Sequence, residues 1–407
     1  MRVINIPENS SFTLEKSYVE EFQIFLNDNK NLPLYLQGET IIFDSYIIGS
    51  INIRDIIINI EPRISKLTSN HYLEMQLYNE GLLDDRISSQ LDENESFGVQ
   101  ENLIDLFLKN AYELVSSGLE GDFVKIKEAT NKIRGKILVE EISPINLLQD
   151  KIPIEYEIHT LNTSYNKIIK IALDKVRVLA TKQIHIKLYS LVNSYFEDID
   201  VDAINLNDLL QDIEMKTHFE NENYSIVLGL AEKIIRNLKI NLKSNKVNSS
   251  SYLMNSNSLF ENYARNVLLN NLSVKVIKWK KDKPMGKLKI GSEEYVKSYS
   301  PDIIINYHED SDTAFAVLDA KNKDISNHSK IGDLSDIYQL LFYSNSLSSE
   351  YGGFVYPYYG ALEPVQINVE SFKETILFAF TIDFSKPVRE RNKTFSNSVK
   401  NSLHISD

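Results

Sequence analysis

Apolar and polar residues alternate through the N-terminal part of the chain. Met1–Ile6 has the pattern of a short strand, and Ser17–Leu26 has the periodicity of an amphipathic helix. Strand-like runs follow from Leu32 to Pro62, separated by polar residues and glycine. This alternation is typical of a half-buried sheet, so the region is predicted to be a small domain made mainly of strands. Arg54 and Arg63 stand at strand ends, where an arginine contacts a partner or, more commonly, solvent.

Helical periodicity dominates the middle of the chain, and strands return near its end. Helices are predicted at His71–Leu82, Gln100–Leu119, Thr163–Val192 and Tyr224–Leu242. We also predict a loop at Asp84–Ser96, two strands around Arg134-Gly135 between Phe123 and Glu140, and a Ser/Asn-rich linker at Lys243–Ser258. Further strands are predicted at Gly352–Tyr356 and Leu377–Ile382, and the tail from Ser385 is expected to be partly flexible.

The C-terminal part contains a pattern typical of a β-hairpin. Asp302 begins an apolar run (Ile303–Ile305), a polar tip follows, and a second apolar run (Phe315–Leu318) ends at Asp319. Because side chains alternate along a strand, Asp319 and Lys321 share one face of it. Pairing of the two strands would bring Asp302 to the same place. Two acids and one lysine are therefore predicted to converge.

Two carboxylates beside a lysine have a chemical use. Carboxylate oxygens are the ligands that Mg²⁺ prefers, and a bound Mg²⁺ polarises a phosphodiester and activates water. Lys321 would orient that water or offset the charge that develops on the phosphate. The same pattern also fits an ordinary hairpin with solvated acids at its ends. Nuclease chemistry is therefore one of two interpretations of these residues.

Two predicted helices add candidate site residues. In Asp336–Tyr343, Gln339 and Tyr343 are four residues apart and so lie on one helical face. In Ser258–Leu269, a serine N-cap is followed three residues later by Glu261, which would supply a third acid. The alternatives are that Glu261 only closes a capping box, and that Gln339 and Tyr343 form the polar edge of a packed helix.

The segment Lys275–Lys297 carries eight lysines against three acids, around the single tryptophan, Trp279. It directly precedes the predicted hairpin, where a nuclease would meet phosphates. The candidate DNA-binding residues in it are Lys278, Lys280, Lys281 and Lys287. Lysines also protect sheet edges from pairing, so an edge strand is the alternative interpretation. The net charge of −13 argues against a protein that coats DNA by its overall charge.

Composition excludes several classes of site. The 407 residues, of which 43% are hydrophobic, suffice for two or three domains. No cysteine is present, which excludes disulfides and Cys-ligated metal centres, and the seven histidines lack the spacing of a histidine-based metal site. No G-x-x-x-x-G-K-[ST] motif is present, so no P-loop nucleotide site is expected. The absence of a long apolar run or an N-terminal signal predicts a soluble, cytoplasmic protein with no membrane partner.

The order of these motifs resembles the PD-(D/E)xK nuclease fold in its RecB-like form: a helix with Glu261, then Pro301-Asp302, then D-A-K at 319–321, then Gln339 and Tyr343. More specifically, the stretches LFENYARNVL, SPDIII, VLDAKNK and DIYQLLFYS resemble the C-terminal half of McrC, the nuclease subunit of McrBC-type modification-dependent restriction systems. The earlier stretches YIIGSINIRDIIINIEPRIS, NKIRGKI and SYNKIIKIAL agree with that family. The resemblance therefore runs from about Tyr46 to Ser344. One departure is Leu161-Asn162, where the family leads us to expect an acidic residue before Asn166.

The resemblance implies an α+β multidomain protein with three parts. These are an N-terminal β-rich partner-docking domain (1–145), a helical middle region with a linker (146–250), and a C-terminal α/β PD-(D/E)xK nuclease domain with a mixed central sheet (251–407). It further implies that Mg²⁺, with Mn²⁺ as an alternative, is held by Asp302, Asp319, the backbone of Ala320 and Glu261. Lys321, Gln339 and Tyr343 would complete the catalytic site.

The resemblance also implies partners. The front part of the chain would dock on a McrB-like AAA+ GTPase hexamer and stimulate its GTPase, and the substrate would be double-stranded, methylated DNA. Within enzymes, the alternative is a stand-alone RecB-like nuclease of DNA repair or restriction, which would cut without a partner. Outside enzymes, the alternative is an adaptor that only activates an AAA+ motor. The complete set of Asp302, Asp319 and Lys321 argues against an adaptor.

Overall fold

The two ends of the chain form one compact unit, and the middle forms another. The computed structural model describes residues 2–30, 32–43, 46–92, 98–179, 182–201, 205–215, 219, 221–243, 246–279, 281–290, 293–369 and 375–406. The first unit consists of Met1–Asn102 and Lys239–Asp407, and the second unit is Leu103–Leu238. The second unit is thus inserted into the sequence of the first. These bounds differ from the predicted boundaries at residues 145 and 250.

The N-terminal part of the first unit consists mainly of strands, as the alternation of its residues predicts. Its elements are β1 (Arg2–Pro7), β2 (Ser11–Thr13), α1 (Lys16–Asp28), β3 (Leu34–Gln37), β4 (Thr40–Phe43), β5 (Ile47–Ile53), β6 (Ile56–Glu61), α2 (Ser69–Asn79) and α3 (Asp85–Asp92). The prediction of a loop over Asp84–Ser96 is wrong for Asp85–Asp92, which form α3. Asp84 accepts a hydrogen bond from the Ile87 backbone N–H at 2.7 Å, and Ile87 and Leu91 are buried. A cap and an apolar stripe therefore make a short helix. The remainder of that predicted loop lies outside the described residues.

The second unit combines helices with a three-stranded sheet. Its elements are α4 (Val99–Ser117), which begins in the first unit, β7 (Asp122–Thr130), β8 (Lys136–Ile137), α5 (Pro144–Leu148), β9 (Ile152–Thr160), α6 (Ser164–Arg177), α7 (Gln183–Asn193), α8 (Leu206–Met215) and α9 (Asn223–Asn237). The predicted strands around Gly135 are β7 and β8, which both pair with the unpredicted β9. The single helix predicted over Thr163–Val192 is wrong. It is divided into α6 and α7, because the Leu179 N–H closes a tight turn on the Val176 carbonyl.

Asn166, whose role the sequence leaves open, connects three segments of the second unit through its side chain. Its side chain is buried and donates hydrogen bonds of 2.9 Å to the carbonyls of Glu120 and Leu161. Its Oδ1 accepts a hydrogen bond of 2.7 Å from the Tyr224 hydroxyl. Because every polar atom of the amide is used inside the unit, Asn166 has a structural role.

The C-terminal part of the first unit contains the predicted hairpin and helices. Its elements are β10 (Lys239–Lys243), β11 (Lys246–Asn255), α10 (Ser256–Asn271), β12 (Val276–Ile277), β13 (Lys283–Ile290), β14 (Glu293–Tyr299), β15 (Ile303–His308), β16 (Thr313–Ala320), α11 (Leu334–Ser346), β17 (Tyr351–Tyr358), β18 (Val365–Ile367), β19 (Ile376–Asp383) and α12 (Val388–Ser402). No helix in the described ranges combines the length and the apolar character needed to cross a membrane.

The segment predicted to be a linker is largely a strand. β11 pairs antiparallel with β5 in the five-stranded sheet β1-β6-β5-β11-β10. Its serines at 249–251 are buried, and Asn52 donates a hydrogen bond to Ser250 Oγ at 3.2 Å. Gly49 has a φ of +132°, and a Cβ there would lie 2.0 Å from the Tyr252 carbonyl oxygen. Small residues therefore let the two strands approach, and a Ser/Asn-rich composition here marks a close sheet contact.

A six-stranded mixed sheet forms the centre of the C-terminal part. Its order is β12-β15-β16-β17-β19-β18, with β15 and β16 antiparallel and with β16, β17 and β19 parallel. Val317 and Phe354 from this sheet pack with Leu340 of α11 in one apolar core. The hairpin, the helix that contains Gln339 and the later strands predicted from the sequence are all present.

The predicted flexibility of the tail from Ser385 is wrong for residues 388–402, which form α12. Phe395 and Val399 are buried on its inner face. Arg391 is also buried, forms a 2.8 Å ion pair with Glu74 of α2, and donates from Nε to the Tyr263 hydroxyl of α10 at 2.9 Å. The tail has few apolar residues, and the ion pair and hydrogen bond of its buried Arg391 help to attach it. α12 thereby fixes α2 and α10.

Candidate active site

The two strands of the hairpin bring Asp302 and Asp319 together. Ile303 pairs with Leu318, so the next step of the antiparallel ladder places Asp302 opposite Asp319. Asp302 Oδ2 accepts the Ala320 backbone N–H at 3.1 Å, which fixes its carboxylate over the end of β16. Asp319 is only 2% exposed. The convergence predicted from the alternation is therefore present.

Lys321 reaches the same cluster from the residue just after β16. Its Nζ lies 2.6 Å from Asp319 Oδ2 and donates to Gln339 Oε1 at 2.8 Å. Its backbone N–H donates to the Val355 carbonyl at 2.8 Å, so the main chain is held as if the strand continued. Asp336, which the sequence did not single out, is buried 3.8 Å from the amine. The amine is thus placed by three side chains.

Burial and like charge perturb the acids. Burial raises the pKa of Asp319 to about 7, and the neighbouring Asp302 carboxylate adds to the rise. Burial acts to lower the pKa of Lys321, but the Asp319 and Asp336 carboxylates raise it overall. The site therefore keeps a cation beside two carboxylates that repel each other, an arrangement more often found where chemistry occurs than in a structural hairpin.

Glu261 belongs to the cluster and does not close a capping box. α10 begins earlier than predicted, because Asn255 is its N-cap and accepts the Ser258 backbone N–H at 2.9 Å. Lys278 Nζ lies 3.6 Å from Glu261 and 3.5 Å from Asp302, and so bridges the two acids. Burial raises the pKa of Glu261, and the Asp302 charge contributes.

The side chains of Gln339 and Tyr343 are hydrogen-bonded to each other on one face of α11, as their spacing predicts. Gln339 Nε2 donates to the Tyr343 hydroxyl oxygen at 2.7 Å while its Oε1 accepts from Lys321. The two ends of the amide are therefore fixed by different partners. Gln339 holds Lys321 in place, and Tyr343 holds Gln339.

These side chains line a cleft of about 270 Å³ in the first unit. Six further lining residues were not predicted as site residues: Tyr46, Arg63, Asn257, Ser300, Asn322 and Lys323. Arg63 follows β6 and contacts Asn322 just beyond the D-A-K motif, so it is not simply a solvated arginine at a strand end. Their positions inside or beside the stretches that resemble a family were the only sequence signal for them.

The four candidate DNA-binding lysines are placed differently from one another. Lys278 lies between Glu261 and Asp302, and Lys281 is exposed. Lys287 is on the exposed two-stranded ribbon β13-β14, where it pairs with Glu294 at 2.8 Å. Lys280 lies outside the described residues. The edge-strand interpretation of the segment holds for β12, which is at the edge of the six-stranded sheet, whereas β13 and β14 pair only with each other among the described strands.

The donor set at this cleft suits a hard cation that keeps part of its water shell. Asp319 Oδ2 is buried and accepts no hydrogen bond of good geometry, although Lys321 Nζ is close to it. Among the described residues, no three His, Cys, Asp or Glu side chains converge as a complete ligand set. Mg²⁺ does not need one, because it is commonly bound by one or two carboxylates together with water and substrate phosphates. Asp302 and Asp319, with the Ala320 carbonyl, fit that demand.

Comparison with known proteins identifies one family and one fold. The family model described as McrBC 5-methylcytosine restriction system component matches residues 43–357. A chain in the refined half-complex from the tetradecameric assembly of Thermococcus gammatolerans McrB AAA+ hexamers with bound McrC is similar with a TM-score of 0.69 and 16% identity. That match covers 98% of this chain and 100% of the other. A chain of the Thermococcus gammatolerans McrBC complex matches with a TM-score of 0.49 and 17% identity, over 66% of this chain and 88% of the other. No curated protein is significantly similar to the chain.

Proposed function

Because this chain belongs to the McrBC family of 5-methylcytosine restriction system components, we propose that it is the McrC-type nuclease subunit, a Mg²⁺-dependent endonuclease of the PD-(D/E)xK class. The observation that carries the proposal is the convergence of Asp302, Asp319 and Lys321 in one cleft at the end of the β15-β16 hairpin. Two carboxylates and an amine beside a mixed sheet meet the chemical needs of phosphodiester hydrolysis.

The predicted site residues divide the work of that reaction. Asp302 and Asp319 would hold the metal, and the chemistry it would supply is polarisation of the phosphodiester and acidification of a bound water. Lys321, fixed by Gln339, orients the attacking water and offsets negative charge on the phosphate as it develops. Tyr343 keeps the Gln339 amide from rotating. Glu261 adds a third acid near Asp302, with Lys278 as its counter-charge before substrate arrives.

A separate AAA+ GTPase would complete the system. The sequence contains no P-loop motif, and the chain shares its fold with one solved in an assembly of McrB AAA+ hexamers with bound McrC. In the second unit, β7-β9-β8 and the segment after β8 expose large apolar side chains that a partner would cover: Phe123 at 72%, Val139 at 71%, Ile145 at 65% and Leu148 at 86%. This exposed group is the proposed docking surface for the motor.

Polar substitution on the docking surface should weaken the complex. A Val139→Ser/Ile145→Ser chain is expected to bind the GTPase at least about tenfold more weakly, since burial of two such side chains contributes about 1.5–3 kcal/mol each. Stimulation of GTP hydrolysis should fall in parallel, with an unchanged melting temperature because both side chains are exposed. Val3→Ser, at a valine of the first unit that is 56% exposed, serves as the control. Unaltered binding by the double variant would place the docking surface elsewhere.

The function itself is tested by plasmid cleavage. Purified chain with Mg²⁺ is assayed alone and together with a McrB-like GTPase and GTP, on 5-methylcytosine-containing and unmodified DNA. Cleavage of modified DNA in the complete mixture alone would support the proposal. Cleavage by the chain alone would favour a stand-alone nuclease, and GTPase stimulation without cleavage an adaptor. Omission of Mg²⁺ should abolish cutting, with Mn²⁺ tested as its replacement.

A further inference from the structure

Three cations line the cleft, and they are not equivalent. Lys321 is committed to Asp319 and lies near Asp336, and Lys323 pairs with Asp336 at 2.5 Å. The positive charges of both lysines are thus offset by the carboxylates of Asp319 and Asp336. The third is Arg63, which comes from the N-terminal part of the first unit, just before α2.

Arg63 is held mainly by uncharged groups. Its guanidinium lies 3.8 Å from the centre of the Tyr46 ring, donates from Nε to the Asn322 carbonyl at 3.1 Å, and donates from Nη2 to Asn257 Oδ1 at 3.2 Å. Glu8 is 3.6 Å from Nε, but it also accepts hydrogen bonds from the Arg63 backbone N–H and from Ser256 Oγ. Within the described ranges, Nη1 makes no hydrogen bond. The two N–H groups of Nη1, at the end of a fixed and partly exposed guanidinium, therefore have no acceptor among the described residues.

Such an arginine is suited to a phosphate. A guanidinium N–H makes a strong, charge-assisted hydrogen bond to a phosphate oxygen, and stacking on a ring limits the conformational freedom that binding would otherwise remove. The anchor is itself rigid, because the Asn322 side chain accepts from the buried Tyr72 hydroxyl at 2.8 Å. The cleft needs such a group, since its acids would repel a DNA backbone.

We propose that Arg63 binds a backbone phosphate of double-stranded DNA next to the carboxylates of the cleft, so that the N-terminal part of the chain supplies a substrate contact to the nuclease site. The proposal rests on the function proposed above and specifies how its substrate is positioned. A phosphate contact carries no sequence information, so Arg63 acts equally on every DNA sequence.

The test is the salt dependence of DNA binding. The complete chain, assembled with its GTPase and a non-hydrolysable GTP analogue, is titrated with fluorescent double-stranded DNA containing 5-methylcytosine, with Ca²⁺ replacing Mg²⁺ to prevent cutting. Arg63→Gln should weaken binding about tenfold and reduce the magnitude of the slope of log K against log salt by about 0.9, the value for one lost phosphate contact. Arg63→Lys should keep the slope while binding more weakly than wild type, because the charge stays but the guanidinium that Tyr46 and Asn322 hold in place is lost.

Arg389→Gln is the matched control, since this arginine is 87% exposed and does not line the cleft. It should leave the slope unchanged. If Arg63→Gln does not fold, the decision rests on Arg63→Lys, and wild-type affinity in that variant would overturn the proposal. A wild-type slope in folded Arg63→Gln, in a protein that still cuts DNA, would overturn this inference alone. Failure of the wild-type assembly to bind or cut DNA would overturn the proposed function and this inference with it.

Discussion

An Asp319→Asn chain is expected to lose at least about a thousandfold in its rate of DNA cleavage. The carboxylate is buried opposite Asp302, so its loss leaves one acid at the proposed Mg²⁺ site. The charge stabilisation that a bound metal gives to the reaction is several kcal/mol, and each 1.4 kcal/mol is about tenfold in rate. The measurement is single-turnover cleavage of modified DNA by the assembled complex at saturating Mg²⁺.

The control for this variant is Asp310→Asn at the exposed tip of the same hairpin, which should cut at the wild-type rate. GTPase stimulation should also remain normal in Asp319→Asn, because the proposed docking surface is in the second unit. Asn is nearly isosteric with Asp, and it removes the repulsion from Asp302, so the variant should stay folded. Wild-type cleavage by Asp319→Asn would remove this cleft as the site of chemistry.

The largest expected effect on stability is at Arg391. Arg391→Met should lower the free energy of unfolding of the first unit by about 3–5 kcal/mol, because it leaves Glu74 as a buried charge without its partner. It also removes the hydrogen bond to Tyr263 of α10, the helix that carries Glu261. Urea unfolding followed by the fluorescence of Trp279, the single tryptophan of the chain, reports on the first unit.

Two variants separate charge burial from simple truncation at this position. Arg389→Met, two residues earlier on the same helix and 87% exposed, should change stability by less than about 0.5 kcal/mol. Glu74→Met/Arg391→Met removes both charges and should recover most of the loss. A double variant as unstable as Arg391→Met would show that packing of α12, and not the ion pair, accounts for the effect.

The geometry of the cleft is predictable where it depends on local pattern. Alternation along β15 and β16 fixes the faces of Asp302 and Asp319, and a hairpin gives them a register. The i and i+4 spacing of Gln339 and Tyr343 likewise places them on one helical face. Each relation spans a few residues or one tight turn. The sequence therefore contained enough information for this half of the site.

Contacts between distant segments were not predictable. Arg63 meets Asn322 at a separation of 259 residues, and nothing near either residue in sequence specifies the other. The linker predicted over β11 is wrong for a related reason, since serine and asparagine are common both in linkers and where two strands approach closely. The flexibility predicted for the tail is wrong because a segment that is attached by a buried arginine has the same polar composition as a flexible segment. Hydrophobic periodicity does not detect burial of charge.

The pairing of β5 with β11 has a consequence for synthesis of the chain. Asn52 and Ser250 touch although they lie 198 residues apart, so β5 leaves the ribosome long before its partner strand exists. Until then its edge is an open template for pairing with other nascent chains, and closing so long a loop is slow. A fragment that begins at residue 251 would lack both β5 and Arg63. In that fragment the rest of β11 has no β5 to pair with, so its expression alone should yield an aggregating product, and co-expression with residues 2–102 should improve its recovery.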